Sequence, residues 1–188
     1  LSQNSESLGI DPMRVYVMGD SAGGQIAQML LLSSPESLPG DTALAGATYK
    51  MIAGVSWYGP CDFEKTDLFN HDDRPDFRDR FAARILKLDS PPEDKLKLYR
   101  EMSPLTYAED IHTPLLIQHA EQDLRCPITQ AEQMFSVLRS LKRPVRLMRV
   151  PGESHELTRS GAPFRRIENI ERIEVLRGPQ STLYGSEA

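Results

Sequence analysis

Three polar residues far apart in the chain have the types and the order that nucleophilic catalysis needs. Ser21 lies in the hexapeptide Gly-Asp-Ser-Ala-Gly-Gly, Asp123 follows in a later polar segment, and His155 comes last. An imidazole can take a serine proton and return it to a leaving group, because its unperturbed pKa of about 6.5 lies near neutral pH. A carboxylate on the other ring nitrogen fixes the tautomer and stabilises the imidazolium. The three residues therefore predict a serine nucleophile that forms an acyl intermediate.

The residues around Ser21 predict a sharp, exposed turn between a strand and a helix. An apolar run over 14–18 precedes it, and apolar residues at helical spacing follow it. Such a turn places the serine hydroxyl beside the free N–H groups of a helix N-terminus, so we expect the backbone N–H of Ala22 to be an oxyanion donor. Gly19 and Gly23 are predicted to be required because side chains there would clash. The alternative is an N-capping serine at a glycine-rich helix entry.

The rest of the chain predicts the elements that would bring these residues together. Two further apolar runs have strand length, residues 51–58 and 114–119, and residues 144–150 are predicted as a fourth strand in which Arg146 and Arg149 alternate with apolar residues. An amphipathic helix is predicted over 131–141, and the alternation indicates an α/β fold with a parallel sheet of about four strands and helices on both faces. Functional residues in such sheets follow the carboxyl ends of strands. Asp123 and His155 lie in the loops after the third and fourth strands, so both should meet Ser21.

Other residues compete for the roles of acid and nucleophile. Glu121 lies in the same loop as Asp123, but Asp123 lies deeper in that loop and is favoured. Cys126, close to this loop, is a weak nucleophile candidate with no reason to displace Ser21. The acidic residues Asp72, Asp73 and Asp76 lack the spacing of a calcium loop, so no metal is predicted. No cofactor is predicted either.

Three other histidines compete with His155. His71 lies in a polar sequence and is interpreted as a solvated loop residue. His112 precedes a strand, which places it at the wrong end of the sheet. His119 ends the third predicted strand and is interpreted as a packed or capping residue.

Composition excludes several classes of partner. The chain has 188 residues and a formal net charge of −5, which gives no electrostatic footprint for nucleic acid or for an anionic membrane. No apolar run approaches the length of a membrane span. Cys61 and Cys126 are expected to be buried thiols. No signal-peptide pattern is visible, which leaves the compartment undetermined with the cytoplasm favoured, and the first residue, Leu1, suggests a fragment or a processed product.

Residues 8–166 resemble the catalytic part of an α/β-hydrolase. The hexapeptide around Ser21 and residues 55–63, Val-Ser-Trp-Tyr-Gly-Pro-Cys-Asp-Phe, are similar to the esterase and lipase branch that includes feruloyl and acetyl esterases. Residues 103–107 and 152–161 look more like serine peptidases of the prolyl-oligopeptidase type, in the acylaminoacyl-peptidase branch. Both resemblances imply the same catalytic positions, but one implies an ester substrate and the other a short peptide.

The resemblance also has departures. The family sheet has eight strands, and this chain supplies only the last four, without the loop that provides the second oxyanion donor in the family. The strand before Ser21 would then have a bare edge, which predicts a possible homodimer through that edge, or a non-catalytic fragment that acts as an interaction module. Residues 167–188 resemble the plug domain of TonB-dependent receptors, so we expect a hydrolase domain over 1–166 and a plug-like tail in a chimeric sequence.

Two aromatic residues and a charged insertion are expected near the substrate. Trp57 and Tyr58 come just after the second predicted strand and either line the acyl or leaving-group pocket or serve as packing. The charged segment 62–101 is expected to form helical excursions over the active site.

Overall fold

A computed structural model describes residues 2–32, 46–65 and 91–157 of the chain. The four strands are β1 (Val15–Asp20), β2 (Met51–Trp57), β3 (Leu115–Ala120) and β4 (Val145–Val150). The helices are α1 (Ser5–Leu8), α2 (Ala22–Leu32), α3 (Pro92–Met102) and α4 (Ile128–Ser140). Short 3₁₀ segments span Ser2–Asn4, Pro104–Asp110 and His155–Leu157.

The strands form one parallel sheet in the order β1-β2-β3-β4. Parallel neighbours need crossover connections, and helices α2 and α4 lie in the first and last of them. All four carboxyl ends therefore meet at one edge, where Asp20, Trp57, Ala120 and Val150 end their strands. The predicted α/β class and the parallel sheet of about four strands are confirmed.

The main core lies on one face of the sheet. Leu31 of α2 and Met134 and Leu138 of α4 belong to one buried cluster with Leu115 and Ile117 of β3. Helices α2 and α4 thus cover the same face, and burying each of these large side chains contributes roughly 1.5–3 kcal/mol. The opposite face carries the buried residues Ala53, Val55 and Leu116. Helical cover of that face stays a prediction.

A buried glutamine ties α4 to the loop that follows β2. The Oε1 atom of Gln130 accepts hydrogen bonds from the backbone N–H groups of Cys61 and Asp62, at 2.9 and 2.8 Å, and its Nε2 donates to the carbonyl of Asp62 at 3.1 Å. Gln130 is 1% exposed. One side chain therefore gives hydrogen-bond partners to the backbone groups of this turn, which would otherwise be buried without partners.

The two cysteines and the described residues of the charged segment 62–101 lie outside the strands of the sheet. Cys61 and Cys126 are both free thiols and both buried, as predicted. Of the charged segment 62–101, the structure describes residues 62–65 and 91–101, where α3 is helical, and the remainder lies outside the described residues. Across the described ranges, no helix combines the length and apolar character that a membrane crossing requires.

Candidate active site

Ser21 occupies the sharp turn between β1 and α2. Its φ angle is 51°, in the left-handed region that non-glycine residues seldom adopt. The Ser21 N–H donates to the carbonyl of Trp57 at 2.9 Å, and the Ser21 carbonyl accepts from the N–H of Gln25 at 3.1 Å. The backbone is thus held by β2 on one side and by α2 on the other. This arrangement leaves the side chain projecting beyond the carboxyl edge of the sheet.

The first residue of α2 follows the serine directly. Ala22 begins the helix and is exposed. The N–H groups of a first helical turn have no acceptor within the helix, and they carry the positive end of its dipole. The predicted position of Ala22 as a donor beside Ser21 is therefore compatible with this geometry.

The two glycines that flank the serine differ in their packing. A Cβ built on Gly19 would lie 2.2 Å from the carbonyl oxygen of Gly23, so no side chain fits at position 19. A Cβ on Gly23 would meet only the Oδ1 atom of Asp20, at an ordinary 3.8 Å. The prediction of a clash was right for Gly19 and wrong for Gly23. The physical reason is that the backbone of Gly23, rather than its missing side chain, fills the space beside Gly19.

Asp123 lies in the loop between β3 and α4 with its carboxylate fully enclosed. Its Oδ1 accepts the N–H groups of Arg125 and Cys126, both at 2.9 Å. Its Oδ2 accepts from Nδ1 of His155 at 2.7 Å. The carboxylate is therefore bonded on both oxygens, which a buried charge requires.

His155 lies between the carboxylate and the serine. Nδ1 donates to Asp123, so Nε2 carries the lone pair in the neutral ring, and it lies 2.9 Å from the Ser21 hydroxyl. The side chain is 8% exposed. This tautomer is the one in which Nε2 can accept a proton from the serine. The three predicted residues are thus brought into one hydrogen-bonded chain across 134 positions of sequence.

The loops that carry Asp123 and His155 are bound to each other. The N–H of Gln122 donates to the carbonyl of Glu153 at 3.0 Å, and the N–H of Glu121 donates to the carbonyl of Val150 at 3.1 Å. Leu157, which is fully buried, packs in a cluster with Tyr58, Ala120 and Val150 just beyond His155. Backbone bonds and apolar packing therefore fix the separation of acid and base.

Burial and hydrogen bonding act on the Asp123 carboxyl in opposite directions. Burial alone would raise its pKa, because desolvation disfavours the charged form. Hydrogen bonds from His119, from His155 and from the backbone of Cys126 outweigh burial and lower the pKa of Asp123 to about 2. The carboxyl is therefore ionised at neutral pH, as the orientation of His155 requires. Burial raises the pKa of the Cys61 thiol, the neighbouring charge of Asp62 raises it further, and this thiol stays protonated.

The competing residues lie elsewhere or have other partners. Glu121 is exposed at the rim of the loop, whereas Asp123 contacts His155. His112 is exposed, and its Nδ1 lies 3.0 Å from a guanidinium nitrogen of Arg143. Cys126 is fully buried. His71 and the acidic residues Asp72, Asp73 and Asp76 lie outside the described residues.

His119, which the sequence predicts to be a packed or capping residue, lies within this site. It is fully buried, with its Nε2 2.7 Å from the carbonyl oxygen of Cys126 and 3.4 Å from Oδ2 of Asp123. His119 ends the predicted strand just before the loop of Asp123, but no spacing rule identifies the contact between the two side chains. A histidine ending the strand that precedes the acid loop is the one signal that could have pointed to it.

Trp57 and Tyr58, the predicted pocket residues, both lie beside the site. The Nε1 of Trp57 donates to Oε1 of Gln118 at 3.1 Å, and its side chain is half-buried. Tyr58 is fully buried against His155. Both therefore have packing contacts, and their predicted contact with substrate stays a prediction. In the described part of the chain, no group of three or more His, Cys, Asp or Glu side chains is arranged to hold a metal ion.

Comparison with known families places this arrangement in context. A family model described as BD-FAE matches residues 1–138, which is more than half of the chain. The chain belongs to the BD-FAE family. A second model, described as the TonB-dependent Receptor Plug Domain, matches residues 148–188 and supports the resemblance of the C-terminal segment. Both predicted family resemblances are confirmed.

Individual relatives of this BD-FAE chain include peptidases and esterases. The Uncharacterized peptidase YuxL of Bacillus subtilis is 34% identical over 165 residues, which cover 87% of the chain and 22% of that protein. The Esterase LipQ of Mycobacterium tuberculosis is 27% identical over 139 residues, which cover 73% of the chain and 31% of the relative. The chain thus spans less than a third of the length of these two curated relatives. Its predicted membership among hydrolases is confirmed, without a choice between ester and peptide.

Solved structures agree on the fold. An acylaminoacyl peptidase of Pyrococcus horikoshii superposes with a TM-score of 0.66 at 22% identity, covering 93% of this chain and 25% of that one. The α/β-hydrolase fold is thereby established for the described sheet.

Proposed function

We propose that this chain carries the catalytic centre of a serine hydrolase, with Ser21 as nucleophile, His155 as general base and acid, and Asp123 as the residue that orients the imidazole. The hydrogen-bonded chain from Ser21 through His155 to Asp123, with distances of 2.9 and 2.7 Å, is the observation that carries the proposal. The first contact is short enough for proton transfer from serine to imidazole, and the second is short enough to orient the ring.

The reaction proceeds by transfer of an acyl group. The Ser21 oxygen attacks the substrate carbonyl carbon while Nε2 of His155 takes the hydroxyl proton. The carbonyl oxygen becomes an oxyanion that the N–H of Ala22 stabilises. The carbon–leaving-group bond then breaks, and His155 returns the proton to the departing atom. Water repeats these steps on the acyl-serine, which releases the acid and restores Ser21.

Carboxylic esters are the proposed substrate class. The BD-FAE model over residues 1–138 and the similarity to Esterase LipQ support esters. Short or N-acylated peptides are the second candidate, supported by 34% identity with the Uncharacterized peptidase YuxL. Matched assays with p-nitrophenyl acetate and an aminoacyl p-nitroanilide should give larger Ser21-dependent turnover of the ester. Larger turnover of the anilide would assign the chain to the peptidase class.

A fluorophosphonate probe tests the catalytic assignment itself. The probe should label the wild-type chain and a Ser140→Ala variant equally, since Ser140 is an exposed serine on α4 whose hydroxyl is bonded to Val137. Ser21→Ala should abolish labelling, and His155→Ala should reduce it by about a thousandfold or more, because an unactivated serine is a weak nucleophile. Equal labelling of wild type and Ser21→Ala would overturn the proposal and favour a non-catalytic interaction module.

A further inference from the structure

His119 is buried beside the loop that carries Asp123, here called the acid loop. The reaction proposed for Ser21, His155 and Asp123 gives it no role. It is the fifth residue of β3, fully buried, and its ring faces the loop that runs from Glu121 to Cys126. A fully buried histidine among apolar strand residues needs polar partners, since burying an unpaired polar group costs free energy.

The partners of His119 determine its tautomer. Nε2 lies 2.7 Å from the carbonyl oxygen of Cys126 and 3.4 Å from Oδ2 of Asp123, and both of these atoms accept hydrogen bonds only. Nε2 must therefore carry the proton. Nδ1 is buried and has no hydrogen-bond partner among the described residues. A proton on Nδ1 would be a buried N–H without an acceptor, so the geometry favours the tautomer with its proton on Nε2.

The single N–H of His119 acts on both oxygens of the catalytic carboxylate. Its Nε2 lies 3.4 Å from Oδ2, a longer contact than the 2.7 Å bond it makes to the Cys126 carbonyl and the 2.7 Å bond that His155 makes to Oδ2. It acts on Oδ1 indirectly, because it holds the carbonyl of Cys126, the residue whose own N–H donates to Oδ1 at 2.9 Å. Strand β3 thus fixes the Asp123 side chain through one imidazole rather than through the loop backbone alone.

We propose that His119 is a positioning residue for Asp123, which holds the carboxylate and the Cys126 carbonyl through its Nε2–H so that Oδ2 stays aimed at His155. This inference rests on the proposed function, since it assigns a role within the same site. His119 touches no reacting atom and acts only through Asp123.

Substitution of His119 separates positioning from simple packing. His119→Leu should lower kcat for p-nitrophenyl acetate by about a hundredfold with KM little changed, because a displacement of about 1 Å in a catalytic group costs that much. His119→Gln, whose amide N–H can reach the same carbonyl, should restore most of kcat. His119→Asn, whose amide is too short, should behave like the Leu variant. The His112→Gln variant, at the exposed histidine before β3, is the control and should match wild type.

A double-mutant cycle with Asp123→Asn decides whether His119 acts through the carboxylate. In the Asp123→Asn background, His119→Leu should cost about threefold or less in kcat, since residues that act as a unit are not additive. A full hundredfold loss in that background would overturn the inference, and so would equal losses for the Leu and Gln variants. If His119→Leu does not fold, the Asn variant takes its place in the cycle.

Urea unfolding tests the contact between His119 and Asp123 independently of activity, so the inference and the proposed function can fail separately. A wild-type chain without Ser21-dependent turnover would contradict the proposed function and leave the contact between His119 and Asp123 to be tested. The single variants should each lower the unfolding midpoint, and the double variant should lower it by less than the sum of the two shifts. Additive shifts would overturn the positioning role whether or not the chain is active.

Discussion

The ring of Tyr58 packs against the imidazole of His155, with ring centroids 4.7 Å apart and planes inclined by 59°. Tyr58 is fully buried, and its hydroxyl lies 3.3 Å from Oδ2 of Asp20, the residue before the proposed nucleophile. One aromatic side chain therefore contacts both His155 and the residue that precedes Ser21. Its φ angle of 40° indicates that the turn after β2 accepts backbone strain to place the ring there.

Removing the ring of Tyr58 should lower activity more than removing its hydroxyl. Tyr58→Leu should reduce kcat by about tenfold and destabilise the chain by about 1–3 kcal/mol, because a buried ring and its contact with His155 are lost. Tyr58→Phe keeps the ring and should stay within about threefold of wild type, since Asp20 is exposed to water. Ester hydrolysis and urea unfolding measure the two effects. Equal kcat values for the Leu and Phe variants would show that the ring contact has no role in catalysis.

The two glycines of the elbow should respond in opposite ways to the same substitution. Gly19→Ala should destabilise the chain and abolish probe labelling, because the new methyl group would overlap the backbone of Gly23. Gly23→Ala should fold normally and gain up to about 1 kcal/mol, since alanine favours the helix and the site has room. Circular dichroism during thermal unfolding, with fluorophosphonate labelling, compares the pair. A destabilised Gly23→Ala variant would contradict the packing described here.

Acid should destabilise the wild-type chain partly through Asp123. Its folded-state pKa is lowered from 3.8 to about 2, so the ionised carboxyl contributes stability above pH 4 that is lost as pH falls towards 2. This contribution is at most about 2.5 kcal/mol. Asp123→Asn should make the free energy of unfolding less dependent on pH between 4 and 2. The exposed Asp110→Asn variant is the control, and an identical slope for both variants would rule out a special contribution from Asp123.

The predicted domain boundary can be tested by truncation. The plug model matches from residue 148, but residues 145–150 are strand β4 in register with β3, and His155 follows with its Nε2 2.9 Å from the Ser21 hydroxyl. We therefore keep the predicted hydrolase domain over 1–166 and predict that deletion of 167–188 leaves probe labelling of Ser21 unchanged. A chain ending at residue 147 should lose labelling. Loss of labelling when only 167–188 are deleted would place the domain boundary further towards the C-terminus.

The edge of β1 predicts self-association. Met18 is 41% exposed on this strand, which ends the described four-stranded sheet next to β2. A terminal strand with an exposed apolar side chain can add a further strand across a dimer interface. We predict a dimer by light scattering after size exclusion, and Met18→Lys should shift it towards the monomer without altering Ser21 labelling. A monomeric wild-type chain at the same concentration would contradict this prediction.

The sequence predicted the strands well because their signals are local. The predicted run 51–58 became β2 at Met51–Trp57, since a strand buried on both faces is a continuous apolar run. Residues 144–150, in which Arg146 and Arg149 alternate with apolar residues, became β4 at Val145–Val150. Ser21, Asp123 and His155 could be chosen because strand ends in a parallel sheet share one edge. The order of the three residues then limited the alternatives.

Contacts made through space could not be predicted in this way. His119 was interpreted as packing because nothing in its neighbours reveals that its ring meets Asp123 and the carbonyl of Cys126. The clash predicted at Gly23 was wrong because a motif specifies residue types but not which backbone atoms fill a gap. Tyr58 likewise could be placed at a strand end, but its contact with His155 depends on packing across the sheet edge.

The buried amide of Gln130 has a consequence for exchanging loops between relatives. Because it holds the turn at Cys61 and Asp62 from the helix that begins just after the acid loop, the start of the insertion is part of the rigid scaffold. A chimera that takes a foreign loop from Gly59 onward would displace the backbone groups that Gln130 binds and disturb the packing beside Asp123. Grafts that begin after Asp62 would keep this connection.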